Sequence, residues 1–219
     1  MTDAAPRVRA VLFDLDGTLA DTAADLGAAV NRMRTARGLP ALPAAHYRPH
    51  ASGGARALLR AGFGIAPDDE TFPAMRDAFL AEYEREVCVA TRLFPGIPEL
   101  LAALAARRIG WGLVTNKSQR FTTTIVSALG LTPACVVCGD TTPHLKPHPA
   151  PLLHAAGLLR LATADCLYVG DDLRDIQAAR AAGMPVAAVE WGYHGADAGP
   201  HTWQADAVVA QPQDLIRLL

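Results

Sequence analysis

Two groups of aspartates carry the first chemical signal in this 219-residue chain. Asp14 and Asp16 stand in Asp14-Leu15-Asp16-Gly17-Thr18, at the end of an apolar run over residues 9–14. Aspartates in such a segment can simply cap the amides of a polar turn. They can also work as a pair, one as nucleophile or metal ligand and the other as proton carrier. Gly17 would let the chain turn sharply beneath a ligand. The second group is Gly170-Asp171-Asp172-Leu173-Arg174-Asp175, again where an apolar run gives way to a helical pattern. Asp172 and Asp175 have a plain alternative as helix caps. In a doubly wound sheet, ligands collect outside the carboxyl ends of the strands, where the strand order reverses. With the first strand central, the two acidic groups face one another there. Carboxylate oxygens gathered in that way suit Mg2+, which keeps several waters and binds substrate phosphate.

Two further segments supply what an anion would need. Thr115-Asn116-Lys117 follows an apolar run and precedes a helical pattern, so a hydroxyl and helix N-terminal amides come together. The plain reading of Thr115 is an N-cap. Lys146 sits in Leu145-Lys146-Pro147-His148-Pro149, stiffened by its prolines ahead of a helix. A lone lysine is usually a solvated charge, but a phosphoryl site needs a cation to balance its carboxylates.

The elements that position these residues read as an alternation. Near-continuous apolar runs at 9–14, 110–115, 134–139, 166–170, 186–190 and 206–209 predict strands covered on both faces, as in a parallel sheet. Helical patterns lie between them at 99–108, 118–129, 149–159 and 172–182, with Gly130 and Gly183 as stop signals. The rhythm predicts a doubly wound α/β domain. One interval breaks it, because about a hundred residues separate the first two strands, far more than a crossover needs. Helical patterns at 21–37, 54–61 and 71–87 predict a small α-helical domain over residues 20–91, inserted into a core of residues 1–19 and 92–219.

Composition limits the rest. Hydrophobic residues make up 51% of the chain, enough for a substantial core. The net charge of -2 argues against a general nucleic-acid binder. No run of 18 apolar residues predicts a membrane span. Residues 1–9 have no apolar signal core, so a cytoplasmic location is expected. Cys135 and Cys138 form a CxxC on a strand, where i and i+3 point to opposite faces, so they are expected in the core rather than on a metal.

Asp14-Leu15-Asp16-Gly17-Thr18, Thr115, Lys146 and Gly170-Asp171 with Asp175, in this order, resemble the four motifs of the haloacid dehalogenase-like hydrolase superfamily. The resemblance covers nearly the whole chain. The insertion looks like the cap of its phosphoglycolate-phosphatase-like branch. It implies a phosphoric monoester hydrolase in which Asp14 attacks phosphorus and Asp16 is the acid and base. Mg2+ would be held by Asp14, the Asp16 carbonyl and Asp171. Thr115 and the Asn116 amide would hold phosphate oxygens, Lys146 would stabilise the transferring charge, and Asp175 would orient Lys146 or a metal-bound water. The role of Asp172, where many relatives carry a small residue, stays open. Asp16 separates this chain from the superfamily's dehalogenases, whose halide leaving group needs no proton.

Within the cap, Ser52-Gly53-Gly54-Ala55-Arg56 reads either as an ordinary helix start or as a loop over the site, with Arg56 placed for a carboxylate. His50 reads as a surface histidine. SGGARALL, LFPG, WGLVTNK, GDDLRDI and Trp191-Gly192-Tyr193-His194 resemble the bacterial N-acetylmuramic acid 6-phosphate phosphatases of peptidoglycan recycling. The substrate implied is a small carboxylated phosphate ester, that compound or 2-phosphoglycolate. A sugar phosphomutase and a non-catalytic phosphate-binding module are the alternatives, and the oligomeric state is not legible.

Overall fold

The structure is a computed structural model that describes residues 8–194 and 199–219. Most of the lead-in over residues 1–9 lies outside that range. Six strands make the central sheet: β1 (Ala10–Phe13), β4 (Gly110–Val114), β5 (Val136–Val137), β6 (Cys166–Gly170), β7 (Val186–Val189) and β8 (Ala207–Val209). Their order is β5-β4-β1-β6-β7-β8, and every neighbouring pair is parallel. The winding reverses between β1 and β6, so a crevice opens beyond the ends of those two strands.

The core follows from the apolar runs. Val11, Phe13, Leu113, Leu167 and Val169 bury on one face of the sheet, and Ala10, Leu12, Val114, Tyr168 and Val186 on the other. Period-two alternation puts neighbours on opposite faces, so strands covered on both sides must be apolar throughout. The helices α5 (Ile97–Ala106), α6 (Gln119–Ala128), α7 (Ala150–Leu159) and α8 (Leu173–Ala181) complete the α/β layers. Helix α5 starts two residues earlier than its pattern suggested, because Pro98 is accommodated in the first turn. The strand expected over 134–139 shrinks to Val136–Val137, a short edge strand with Val136 exposed. Cys135 and Cys138 are free and buried, and burial raises the Cys135 thiol to about 11.

Between β1 and β4 the chain forms α1 (Ala23–Thr35), α2 (Ala44–Tyr47), a 3-10 turn at Arg48–Gly53, α3 (Gly54–Phe63) and α4 (Phe72–Arg85). These helices pack on one another around Val30, Met33, Tyr47, Leu58, Leu59 and Phe79. Short strands β2 (Ala20–Asp21) and β3 (Arg92–Leu93) pair antiparallel where the chain leaves and re-enters the sheet layer. Asp25, fully buried, accepts from the N–H groups of Val89, Ala90 and Thr91 and from the Thr91 hydroxyl, which ties the return to the first turn of α1. Neither feature has a local signature in the sequence. No helix among the described residues is long and apolar enough to cross a membrane.

Candidate active site

Asp14 and Asp171 follow β1 and β6, the strands that flank the crevice, and Thr115 follows β4 beside them. Asp14, Thr115, Lys146, Asp171 and Asp175 are all buried. Oxygens of Asp14, Asp171 and Asp175 lie within 4.8 Å of one another. Burial and the charges of Asp14 and Asp175 hold the Asp171 carboxyl well above the usual range, against the Tyr193 N–H and the Thr18 hydroxyl. The Asp14 carboxyl is pushed up to about 6 by burial, opposed by Lys146 and reinforced by Asp175.

Lys146 is the cation inside this group. Its Nζ donates to Asp175 Oδ1 at 2.7 Å, to the Tyr168 hydroxyl at 2.7 Å and to the Val114 carbonyl at 3.0 Å. Those bonds use its three donors. Asp14 Oδ1, also buried, stands 2.8 Å from the same nitrogen and is ion-paired with it. Burial works against the Lys146 ammonium, but Asp14 and Asp175 outweigh it and raise its pKa. Asn116 clamps the lysine's loop through its side chain, donating to the Lys146 carbonyl and accepting from the Lys146 N–H, both at 2.9 Å. This bracing is additional to the role expected of the Asn116 main chain. Thr115 is not the N-cap of α6; Ser118 occupies that position.

Asp171 is wrapped from three sides. Its oxygens accept from Thr18 Oγ1 at 3.0 Å, from the Tyr193 N–H at 2.8 Å and from Ser52 Oγ at 3.2 Å. Two glycines allow that close wrapping. A Cβ on Gly17, which has φ +87°, would meet Asp171 Oδ2 at 2.1 Å, and one on Gly192 would meet Asp171 Cβ at 2.2 Å. The segment from Trp191 to Tyr193 thereby acquires a function: Trp191 Nε1 holds the Thr18 carbonyl, and the Tyr193 hydroxyl receives Thr22 N–H and donates to Asp21.

Asp16 points the other way. Its carboxylate takes Lys117 Nζ at 2.9 and 3.2 Å and the Thr22 hydroxyl, so it does not join the Asp14–Asp171–Asp175 oxygens. Lys117 is the site residue that sequence reasoning missed. Its side chain is buried between Asp16 and the Tyr83 ring of α4, whose centroid is 4.8 Å away. Burial disfavours the ammonium, but Asp16 and Tyr83 more than compensate. The motif placed Lys117 beside Thr115, but nothing local indicated its partner.

Asp172 and Asp175 form a capping box at the start of α8, so the cap reading holds for both, with Asp175 also serving Lys146. A cleft of about 590 Å³ opens over this site. Asp14, Asp16, Thr115, Asn116 and Lys146 form its floor, with Leu26, Phe79 and Tyr83 on its helical side. Arg56 lines it, exposed, with no ion pair or hydrogen bond to protein among the described residues. His50 is half-buried in the 3-10 turn, near the His46 ring, and does not line the cleft.

The chain as a whole is similar to relatives whose activities have been named. Residues 11–189 match the family described as haloacid dehalogenase-like hydrolase. The N-acetylmuramic acid 6-phosphate phosphatase of Pseudomonas putida is 44% identical over 97% of this chain and 96% of its own length. The phosphoglycolate phosphatase of Xanthomonas campestris pv. campestris is 46% identical over 94% of each chain. In three dimensions, a predicted phosphoglycolate phosphatase from Haemophilus somnus superposes with a TM-score of 0.83 at 27% identity, over 96% of this chain and 97% of that one. With a match of this extent over the sheet, the insertion and the acidic crevice alike, the chain belongs to the haloacid dehalogenase-like hydrolases.

Proposed function

We propose that this protein is a Mg2+-dependent phosphomonoesterase working through an aspartyl-phosphate on Asp14. The observation that carries the reading is the buried Asp14 carboxylate, ion-paired with Lys146 at 2.8 Å at the switch between β1 and β6. In the first half-reaction, an Asp14 oxygen attacks phosphorus and the bond from phosphorus to the ester oxygen breaks. Asp16 gives that oxygen its proton. In the second, water attacks the aspartyl-phosphate and passes a proton to Asp16. The phosphorus–Asp14 bond breaks, releasing phosphate. Thr115 and the Asn116 main chain hold phosphate oxygens, and Lys146 stabilises the charge that develops on them. Asp175 orients Lys146.

The residues fit a divalent cation, because three buried carboxylates gather within 4.8 Å of one another while the one ammonium among them, Lys146, pairs with only Asp14 and Asp175. Asp14, Asp171 and the Asp16 carbonyl would hold it; Asp175 is already committed to Lys146. Bound Mg2+ would neutralise the repulsion between these carboxylates and an incoming phosphate. EDTA is expected to stop phosphate release and excess Mg2+ to restore it. Full turnover in EDTA would overturn the metal assignment.

We read residues 20–91 as a cap domain that sets specificity, with Arg56 receiving a carboxylate. The cleft volume favours N-acetylmuramic acid 6-phosphate over 2-phosphoglycolate. Pockets of roughly 300–1,000 Å³ accept ligands well beyond a two-carbon acid, and Phe79, Tyr83 and Leu26 offer apolar wall for a substituted sugar. A kcat/KM comparison of the two esters, with free phosphate as the readout, is expected to favour the sugar phosphate. The opposite preference would overturn that order, and transfer without free phosphate would favour a mutase.

A further inference from the structure

The proposed chemistry leaves Arg174 without a task, although this side chain lines the cleft. Its geometry is specific. Arg174 Nε donates to Asp172 Oδ1 at 2.8 Å and one terminal nitrogen donates to Asp172 Oδ2 at 2.7 Å. That terminal nitrogen also donates to the Ser52 carbonyl at 2.7 Å. Asp172 is itself immobilised as the N-cap of α8, accepting the Arg174 N–H at 2.9 Å. The guanidinium is therefore held in one plane by a fixed acid, and one nitrogen of that fork also reaches the main chain of the insertion.

Ser52 is a consequential place to hold. Its hydroxyl donates to Asp171 Oδ2, 119 residues further along the chain. Its carbonyl precedes Gly53 and Gly54, where α3 begins, and Arg56 lies in the first turn of that helix. Gly54 has φ +59°, so the chain turns there in a way that a side chain would resist. Fixing the Ser52 carbonyl thus sets the entry of α3 and the reach of Arg56 into the cleft.

We propose that Arg174, locked by Asp172, is a specificity-determining positioning residue. It seats the Ser52-Gly53-Gly54 turn on the catalytic layer, so that Arg56 meets the carboxylate of a substrate whose phosphate lies at Asp14. The proposal rests on the phosphatase reading and on the carboxylate assignment of Arg56. A planar fork serves both Asp172 oxygens and the Ser52 carbonyl together, whereas a lysine ammonium is a point charge without that fork. Arg174→Lys keeps a cation beside Asp172 and should fold, yet should not seat the turn.

The test is steady-state kinetics of wild type, Arg174→Gln and Arg174→Lys on p-nitrophenyl phosphate, which has no carboxylate, and on N-acetylmuramic acid 6-phosphate and 2-phosphoglycolate. For the better carboxylated ester, both variants are expected to lose about tenfold in kcat/KM, mostly through KM, the scale of one charge-assisted hydrogen bond. The loss on p-nitrophenyl phosphate should be clearly smaller. In an Arg56→Gln background, Arg174→Gln should add no further loss, because both changes remove the same contact. Equal losses on all three esters, rescue by lysine, or additive effects with Arg56→Gln would overturn the proposal while the phosphatase reading stands. Wild type that prefers p-nitrophenyl phosphate to both carboxylated esters would overturn the carboxylate assignment and this proposal together. Wild type that releases phosphate from none of them would overturn the phosphatase reading itself.

Discussion

Asp14→Asn is expected to abolish phosphate release and, in the metal-free protein at neutral pH, to raise the melting temperature. The loss of turnover should reach roughly 10⁴-fold or more, the scale of removing a nucleophile. The stability gain comes from electrostatics. Holding the Asp14 carboxyl at about 6 instead of 3.8 makes the ionised form less favourable by roughly 3 kcal/mol, so a neutral isostere relieves it. The direction with pH follows. Between those two values the folded chain binds more protons at Asp14 than the unfolded chain. This contribution to stability is therefore fully present below pH 3.8 and is lost as pH rises through about 6. Asp171, also raised, acts in the same direction, whereas the Asp172 carboxyl acts in the opposite one. Burial alone would raise Asp172, but Arg174 outweighs it and holds it below its usual value. Calorimetry in EDTA should show the variant melting above wild type at pH 7.5, with the gap closing towards pH 4. Turnover near the wild-type rate would sink the nucleophile assignment, and a gap independent of pH would sink the electrostatic account.

Lys146→Met should be damaging in both respects. It removes the ammonium that Asp175 and Asp14 share and leaves Asp175, 1% exposed, without its cation. Breaking a buried pair from one side costs roughly 3–5 kcal/mol. Loss of the charge that would meet the transferring phosphoryl group should lower kcat by about 10²–10³-fold. The two effects can be separated. Lys146→Met combined with Asp175→Asn removes the stranded charge, so the double variant should recover stability in urea melts without recovering kcat. Recovery of both would mean that Lys146 is only a structural counter-ion.

These expectations rest on motifs that were legible as short strings. Asp14, Thr115 and Asp171 each directly follow an apolar strand, Asp16 stands two residues beyond Asp14, Lys146 lies in the loop ahead of α7, and Asp175 lies in the first turn of α8. The apolar runs themselves predict the layers, because a strand buried on both faces has no polar positions to spare. Asp172 and Asp175 are a different case, since a capping box and a catalytic cluster use the same residue types at the same spacing. Only the approach of Lys146 Nζ to Asp175 separates the two functions of that acid.

What the sequence by itself determined is the inventory: the strand and helix alternation, the long helical insertion, and the residue types at each strand end. The tertiary structure decided the partnerships. Lys117 meets Asp16 across 101 positions, Ser52 meets Asp171 across 119, and Tyr168 lies in an apolar strand yet turns its hydroxyl to Lys146. Gly192 matters only because Asp171 lies against it. The physical reason is that periodicity encodes which face a side chain takes, a local property of the backbone. Which two faces then meet depends on sheet order and on how the insertion seats over the crevice. Those are set by burial summed over the whole chain, and no short segment contains them.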